Sequence, residues 1–151
     1  VLSLRRYTYS LVREATATEF GARIDSPTKA IDFLESFSPM WDRECVYVLY
    51  LDVKRNVTGM ELVAMGSDNG AILTPRQVFR GALVAGAHSI IILHNHPSGD
   101  TRPSPQDHAF TKKMRSAGDI LGIKVDDSIV VGNGTLSFIS LATAPGAGLF
   151  R

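Results

Sequence analysis

The 151-residue sequence predicts an α/β fold, a mixed central sheet flanked by helices, on three observations. Short strands that are apolar on both faces alternate with amphipathic helical stretches, a pattern that demands a sheet covered on both sides. Three of the helical stretches open on a hydroxyl residue followed by proline: Ser26-Pro27, Thr74-Pro75 and Ser104-Pro105. A short apolar segment, Ser89 to Leu93, lies between two of those helices, as a crossover connection requires.

Taken in order, Tyr7 to Arg13 reads as an edge strand within an N-terminal extension, residues 1–25. At Ser26 the hydroxyl caps a helix, and Pro27 supplies a helical φ where an N–H has no intrahelical partner. Ala30, Ile31, Phe33, Leu34 and Phe37 form its apolar face, and Ser38-Pro39 ends it. Cys45 to Leu51 and Val57 to Met65 flank the turn-like Lys54-Arg55-Asn56 and predict a hairpin whose first strand is central. Thr74 starts the second helix, with Gln77 completing a capping box and Val78, Phe79, Ala82, Leu83 and Ala85 inward until Gly86. Ser104 starts the third, running through Phe110, Met114 and Ala117 to Leu121-Gly122. Val125 to Val131 and Leu136 to Ile139 predict a second hairpin, with a type I′ turn at Asn133-Gly134.

One domain, residues 26–141, accounts for this organisation, and residues 142–151 read as a loose Ala/Gly/Pro-rich tail. Hydrophobic residues make up 44% and charged residues 21%, which excludes a disordered tail or fibre. A formal net charge of +1 lacks the basic footprint of a non-specific nucleic-acid binder. The apolar runs are far shorter than the roughly 18 residues of a membrane span, and Val1 to Ser10 does not read as a secretory signal. A single cysteine, Cys45, can form no intrachain disulfide, so a cytoplasmic, reducing setting is expected. The oligomeric state is not legible, although exposed strand edges allow self-pairing.

The chemistry concentrates in residues 94–107. Residues two apart on a strand project to one side, so His94 and His96 can present two imidazoles to one point. Gly99 and the prolines then turn the chain, and the next helix brings Asp107 into its first turn, where a carboxylate could complete a three-ligand set. Two His and one carboxylate leave a fourth tetrahedral position open, the pattern of hydrolytic zinc. Each residue also has a plain structural role: an isolated H-x-H is more often packing than ligation, and Ser104 with Asp107 resembles a capping box. Their joint occurrence at the mouth of one strand is not required by capping.

The spacing His-x-His, seven residues, Ser, two residues, Asp, held without a gap by His94, His96, Ser104 and Asp107, resembles the motif of the JAMM (JAB, MPN+) metallopeptidases. Thr74 to Arg80, His94 to Asp100 and Ile129 to Gly132 are similar to the bacterial RadC-like branch, and the likeness spans about Ser26 to Leu141. It implies a cytidine-deaminase-like three-layer sandwich, a Zn2+ held by His94, His96 and Asp107, and cleavage of peptide or isopeptide bonds by an activated water. It also implies a general base before the H-x-H strand, which falls on Glu44, with Glu61 as competitor, and an oxyanion donor in Ser104. Asp100 is an alternative ligand, four residues after His96, while His108 is expected to face solvent and His88 to sit at a strand entrance.

Two departures from the family pattern stand out. The 25 residues before Ser26 are too few for the helix-hairpin-helix segment that RadC-like chains commonly carry, which weakens a DNA role inferred from the family name. Asp127-Ser128 stands where relatives often have Asp-His. The competing functional class is a non-catalytic or DNA-repair-associated binding module of the same fold. A zinc nucleobase deaminase is excluded by the single cysteine. The expected partner is a peptide or isopeptide-linked protein substrate, with the Pro97 to Pro103 loop beside its groove.

Overall fold

The computed structural model describes residues 21–37, 39, 42–66, 73–134 and 137–142, so the strand expected at Tyr7 to Arg13 and most of the C-terminal tail lie outside the described residues. The elements are α1 (Pro27–Glu35), β1 (Cys45–Leu51), β2 (Val57–Met65), α2 (Pro75–Ala85), β3 (Ser89–Asn95), α3 (Pro105–Leu121), β4 (Lys124–Asn133) and β5 (Ser137–Ser140).

All three hydroxyl-proline pairs start helices. Ser26 Oγ accepts the Lys29 N–H at 3.3 Å, and Gln77 Oε1 reaches back to the Thr74 N–H at 2.9 Å. The strands pair in the order β2-β1-β3-β4-β5. β1 is antiparallel to both β2 and β3, β3 and β4 are parallel across the α3 crossover, and β5 folds back antiparallel on β4. The sheet is therefore mixed, and β1 is interior, as its doubly apolar sequence requires.

Alternation along the strands splits the core into two layers. Cys45, Tyr47, Leu49 and Leu51 join Ile91, Leu93, Ile129 and Val131 against Ile31, Phe33 and Leu34 of α1. On the opposite face Val48, Tyr50, Ile90, Ile92 and Val125 pack on Val78, Phe79 and Ala82 of α2 and Met114 of α3. Fully burying one such aliphatic side chain contributes about 1.5–3 kcal/mol. His94 and His96 share the even parity of Ile90 and Ile92, so β3 aims them at the layer that holds α3.

Several local expectations are corrected. α1 ends at Glu35, because Ser36 folds back: its hydroxyl donates to the Phe33 carbonyl at 2.6 Å. Phe37, expected inward, is exposed and leans on the Phe33 ring at 5.2 Å. Leu83 is also exposed, because Val78, Phe79 and Ala82 already fill the face of α2 that meets the sheet. The second hairpin has no turn centred on Asn133-Gly134. Asn133 pairs with Ser137 after a register shift at Val131/Asn133, and of those two residues only Gly134 takes a positive φ, 53°. β3 runs two residues past Leu93, so His94 stands on the strand itself and His96 immediately follows its end. Among the described residues no helix is long and apolar enough to cross a membrane.

Candidate metal centre

Two elements bring the candidate ligands together. His94 is the last β3 residue paired with β1, between Val46 of β1 and Val130 of β4, and its side chain is 7% exposed. His96 follows on the same side, its N–H donating to the Val131 carbonyl at 2.9 Å. The chain then turns through Pro97 to Pro103 and enters α3, whose cap fixes the third group. Ser104 Oγ accepts the Asp107 N–H at 3.1 Å, and Asp107 Oδ2 accepts the Ser104 N–H at 2.7 Å. This capping box is the structural role visible in the sequence, and it also orients the Asp107 carboxylate toward β3.

The two imidazole Nε2 atoms lie 3.1 Å apart; His94 Nε2 is 3.2 Å from Asp107 Oδ1, and His96 Nε2 is 3.4 Å from Asp107 Oδ2. Ligands about 2.0–2.1 Å from a tetrahedral ion are separated by an edge of about 3.3–3.4 Å. The two imidazole nitrogens thus stand close to one such edge apart, each faces a different oxygen of the Asp107 carboxylate, and one ligand atom from each of the three residues lies within 4.8 Å of the others. His94, His96 and Asp107 form the group that could hold a metal ion among the described residues.

A second layer of contacts orients the ligands. His96 Nδ1 lies 2.7 Å from the Asp100 carbonyl oxygen, which can only accept, so Nδ1 carries the proton and the Nε2 lone pair faces the site. The Asp100 carboxylate, the alternative ligand, is instead engaged by the Arg102 guanidinium, with Nε at 3.0 Å and Nη2 at 2.5 Å. Those bonds hold the Asp100 carboxyl down to about 2. Asp107 is governed by opposing effects: burial disfavours its charge, but His94 and the Ser104 amide outweigh burial and hold the carboxyl well below the ordinary carboxylate range.

Gly132 of β4 lets the loop carrying Asp100 sit close. A Cβ there would fall 2.5 Å from the Gly99 carbonyl oxygen and 2.6 Å from Thr101 Cγ2. We expect Gly132→Ala to push this loop outward, loosen the Asp100–His96 bond and lower metal affinity about 10–100-fold, the usual cost of a lost outer contact. Competition with a chromophoric chelator measures it; unchanged affinity would mean that the loop does not orient His96.

The other residues singled out in the sequence are placed as follows. Glu44 is exposed, immediately before β1. It lies two residues before Val46, the last β1 residue paired with β3, which stands opposite His94. Glu61 stands elsewhere, opposite Val48 in β2, where it accepts the Tyr50 hydroxyl at 2.5 Å and meets Arg80 at 3.9 Å. Gly81 of α2 makes room for that pair, since a side chain there would collide with both Tyr50 and Glu61. Burial and the Glu61 bond together push the Tyr50 hydroxyl far up. His108 is exposed, and His88 is exposed just before β3.

Ser128 accepts the Thr111 hydroxyl at 3.1 Å, tying α3 to β4, while Asp127 on the opposite face accepts from Ser128 N, Ser140 Oγ and Ala142 N. Three contributors were not legible in the sequence: the Asp100 carbonyl, Gly132, and Asn95, which lies between the two histidines in sequence and is buried. Only Asn95 gave a signal, a polar residue on the inward side of an otherwise apolar strand.

Residues 24–146 match the family of RadC-like JAB domains. A UPF0758 protein of Shouchella clausii is 44% identical over 118 residues, which cover 78% of this chain and 50% of that protein. One from Methanococcoides burtonii is 46% identical over 92 residues, 61% of this chain and 40% of its own length. One from Thermotoga maritima is 38% identical over 109 residues, 72% of this chain and 49% of its own. The chain thus spans about half the length of these curated relatives. With this match joined to a His-His-Asp group on a mixed five-stranded sheet, the chain belongs to the RadC-like JAB domain family.

Proposed function

We propose that this chain is a zinc-dependent hydrolase of peptide or isopeptide bonds, with His94, His96 and Asp107 as the metal ligands. The observation that carries this reading is the convergence of two imidazole nitrogens, 3.1 Å apart, on one carboxylate, whose Oδ1 lies 3.2 Å from His94 and whose Oδ2 lies 3.4 Å from His96. Two imidazoles and a carboxylate suit zinc, and three protein ligands are the complement of a catalytic site. A zinc ion bound there supplies Lewis acidity and lowers the pKa of water from 15.7 to about 7.

The chain's own groups account for the rest of the reaction. Glu44, exposed immediately before β1, takes the proton of the attacking water and returns it to the leaving nitrogen. Ser104 Oγ receives the Asp107 N–H, and its own hydroxyl proton remains available to a developing oxyanion, so cap and donor roles use different atoms. The exposed residues 97–100 and Arg102 form the rim along which an extended polypeptide would lie. The lone buried Cys45 suits a reducing compartment such as the cytoplasm.

The test is zinc-loaded protein screened against panels of peptides, isopeptide-linked proteins and DNA, with and without chelator. Chelator-sensitive cleavage of an amide bond supports the proposal. Zinc-loaded protein that cleaves nothing, or that shifts DNA regardless of chelator, would favour a binding module.

A further inference from the structure

The side chain of Asn95 lies on the opposite face of β3 from the two imidazoles and is nearly fully buried, at 2% exposure. Its Oδ1 accepts the Cys45 N–H at 2.7 Å, and its Nδ2 donates to the Arg43 carbonyl at 2.9 Å. These two backbone groups belong to the peptide planes on either side of the Glu44 Cα, and the relative orientation of those planes is the φ and ψ of Glu44. A third bond, from the Gly66 N–H to the Glu44 carbonyl at 2.7 Å, holds the second plane from the β2 side.

The need for such a clamp follows from the sheet. Backbone pairing between β1 and β3 stops at Val46/His94, and the His96 N–H is spent on Val131 of β4. The β1 chain around Glu44 would otherwise lose its attachment to β3 where the ligands stand. One carboxamide, with an acceptor and a donor on one rigid plane, replaces the missing ladder. Its two bonds span about 50 residues of sequence, so they tie the exposed Glu44 to the strand that bears His94 and His96.

We infer that Asn95 is a positioning residue: its carboxamide fixes the backbone of Glu44 and so sets that carboxylate relative to the metal centre. The inference rests on the hydrolase reading above and adds a residue that touches neither substrate nor metal. Asn95→Leu, similar in volume and unable to make either bond, is the direct probe, and Asn95→Ser is a second variant should the first fold poorly. Leu34→Ala, in the core layer on the same face of the sheet and with no part in either bond, serves as the matched destabilised control.

Four quantities are read on zinc-loaded full chain: zinc per chain, deuterium exchange at the Cys45 amide, kcat and KM on a substrate from the panel, and the same kinetics in a Glu44→Gln background. The expected result for Asn95→Leu is retained zinc, at least about tenfold faster Cys45 exchange, and kcat lowered up to about 100-fold with KM unchanged, in line with the cost of a misplaced group. The residual rate of Glu44→Gln should not fall further when Asn95→Leu is added. Unchanged exchange, wild-type kcat, an equal loss in the Glu44→Gln background, or the same loss in Leu34→Ala overturns the assignment alone. A wild-type protein that holds zinc and cleaves nothing in the panel overturns the hydrolase reading and this assignment together.

Discussion

Asp107→Ala is expected to lose the metal and, independently, to weaken the start of α3. The carboxylate faces both imidazoles and also accepts the Ser104 N–H at 2.7 Å. Loss of such a cap costs about 0.5–2 kcal/mol, and a domain of about 150 residues loses roughly 2–4 °C of melting temperature per kcal/mol. The two losses are separable. Asp107→Asn keeps an acceptor for the Ser104 N–H but offers a neutral oxygen to the ion and to His94, so the metal-free variant should melt between wild type and Asp107→Ala while metal affinity falls. Because the folded Asp107 carboxyl is held below its ordinary value of 3.8, its contribution is fully present above that pH and is lost as pH falls through the depressed value. The melting difference between metal-free wild type and Asp107→Ala should therefore persist at neutral pH and narrow only in strong acid. Melting curves and metal titrations of both variants check this, and metal binding by Asp107→Ala at wild-type affinity would remove Asp107 from the ligand set.

Glu44→Gln is expected to retain the metal and lose about 10²–10⁴-fold in turnover, the range for removal of a positioned general base. Its amide is isosteric and cannot accept the proton. Glu61→Gln provides the contrast. That carboxylate is bonded to Tyr50 and faces Arg80, so its removal should leave turnover near wild type. Zinc content and steady-state kinetics of the two variants decide between them; loss of turnover in Glu61→Gln alone would transfer the role of base.

What was legible in the sequence and what was not divides along the range of the interactions. Helix starts at Ser26, Thr74 and Ser104 were readable because a hydroxyl and a proline act within one turn. Cys45–Leu51 and Val57–Met65 were readable because burial on a pleated surface imprints the sequence directly. The ligand set shared this advantage, since His94, His96 and Asp107 all lie in one strand, loop and helix start. The misplaced turn at Asn133 depends on a bulge in the β4–β5 pairing, and the local Asn-Gly signal carries no information about register. Gly132 against Gly99 and Asn95 against Arg43 and Cys45 are long-range contacts, set by the order of strands in the sheet. No window along the chain contains both partners.

The most direct measurement is the zinc stoichiometry of the purified protein after metal loading and exhaustive dialysis, set beside His94→Ala. The account predicts one zinc per chain in the wild type and none retained by the variant, with both proteins folded. A folded wild type that binds no zinc, or a variant that holds it equally well, would contradict the claim that these three side chains grip a single ion.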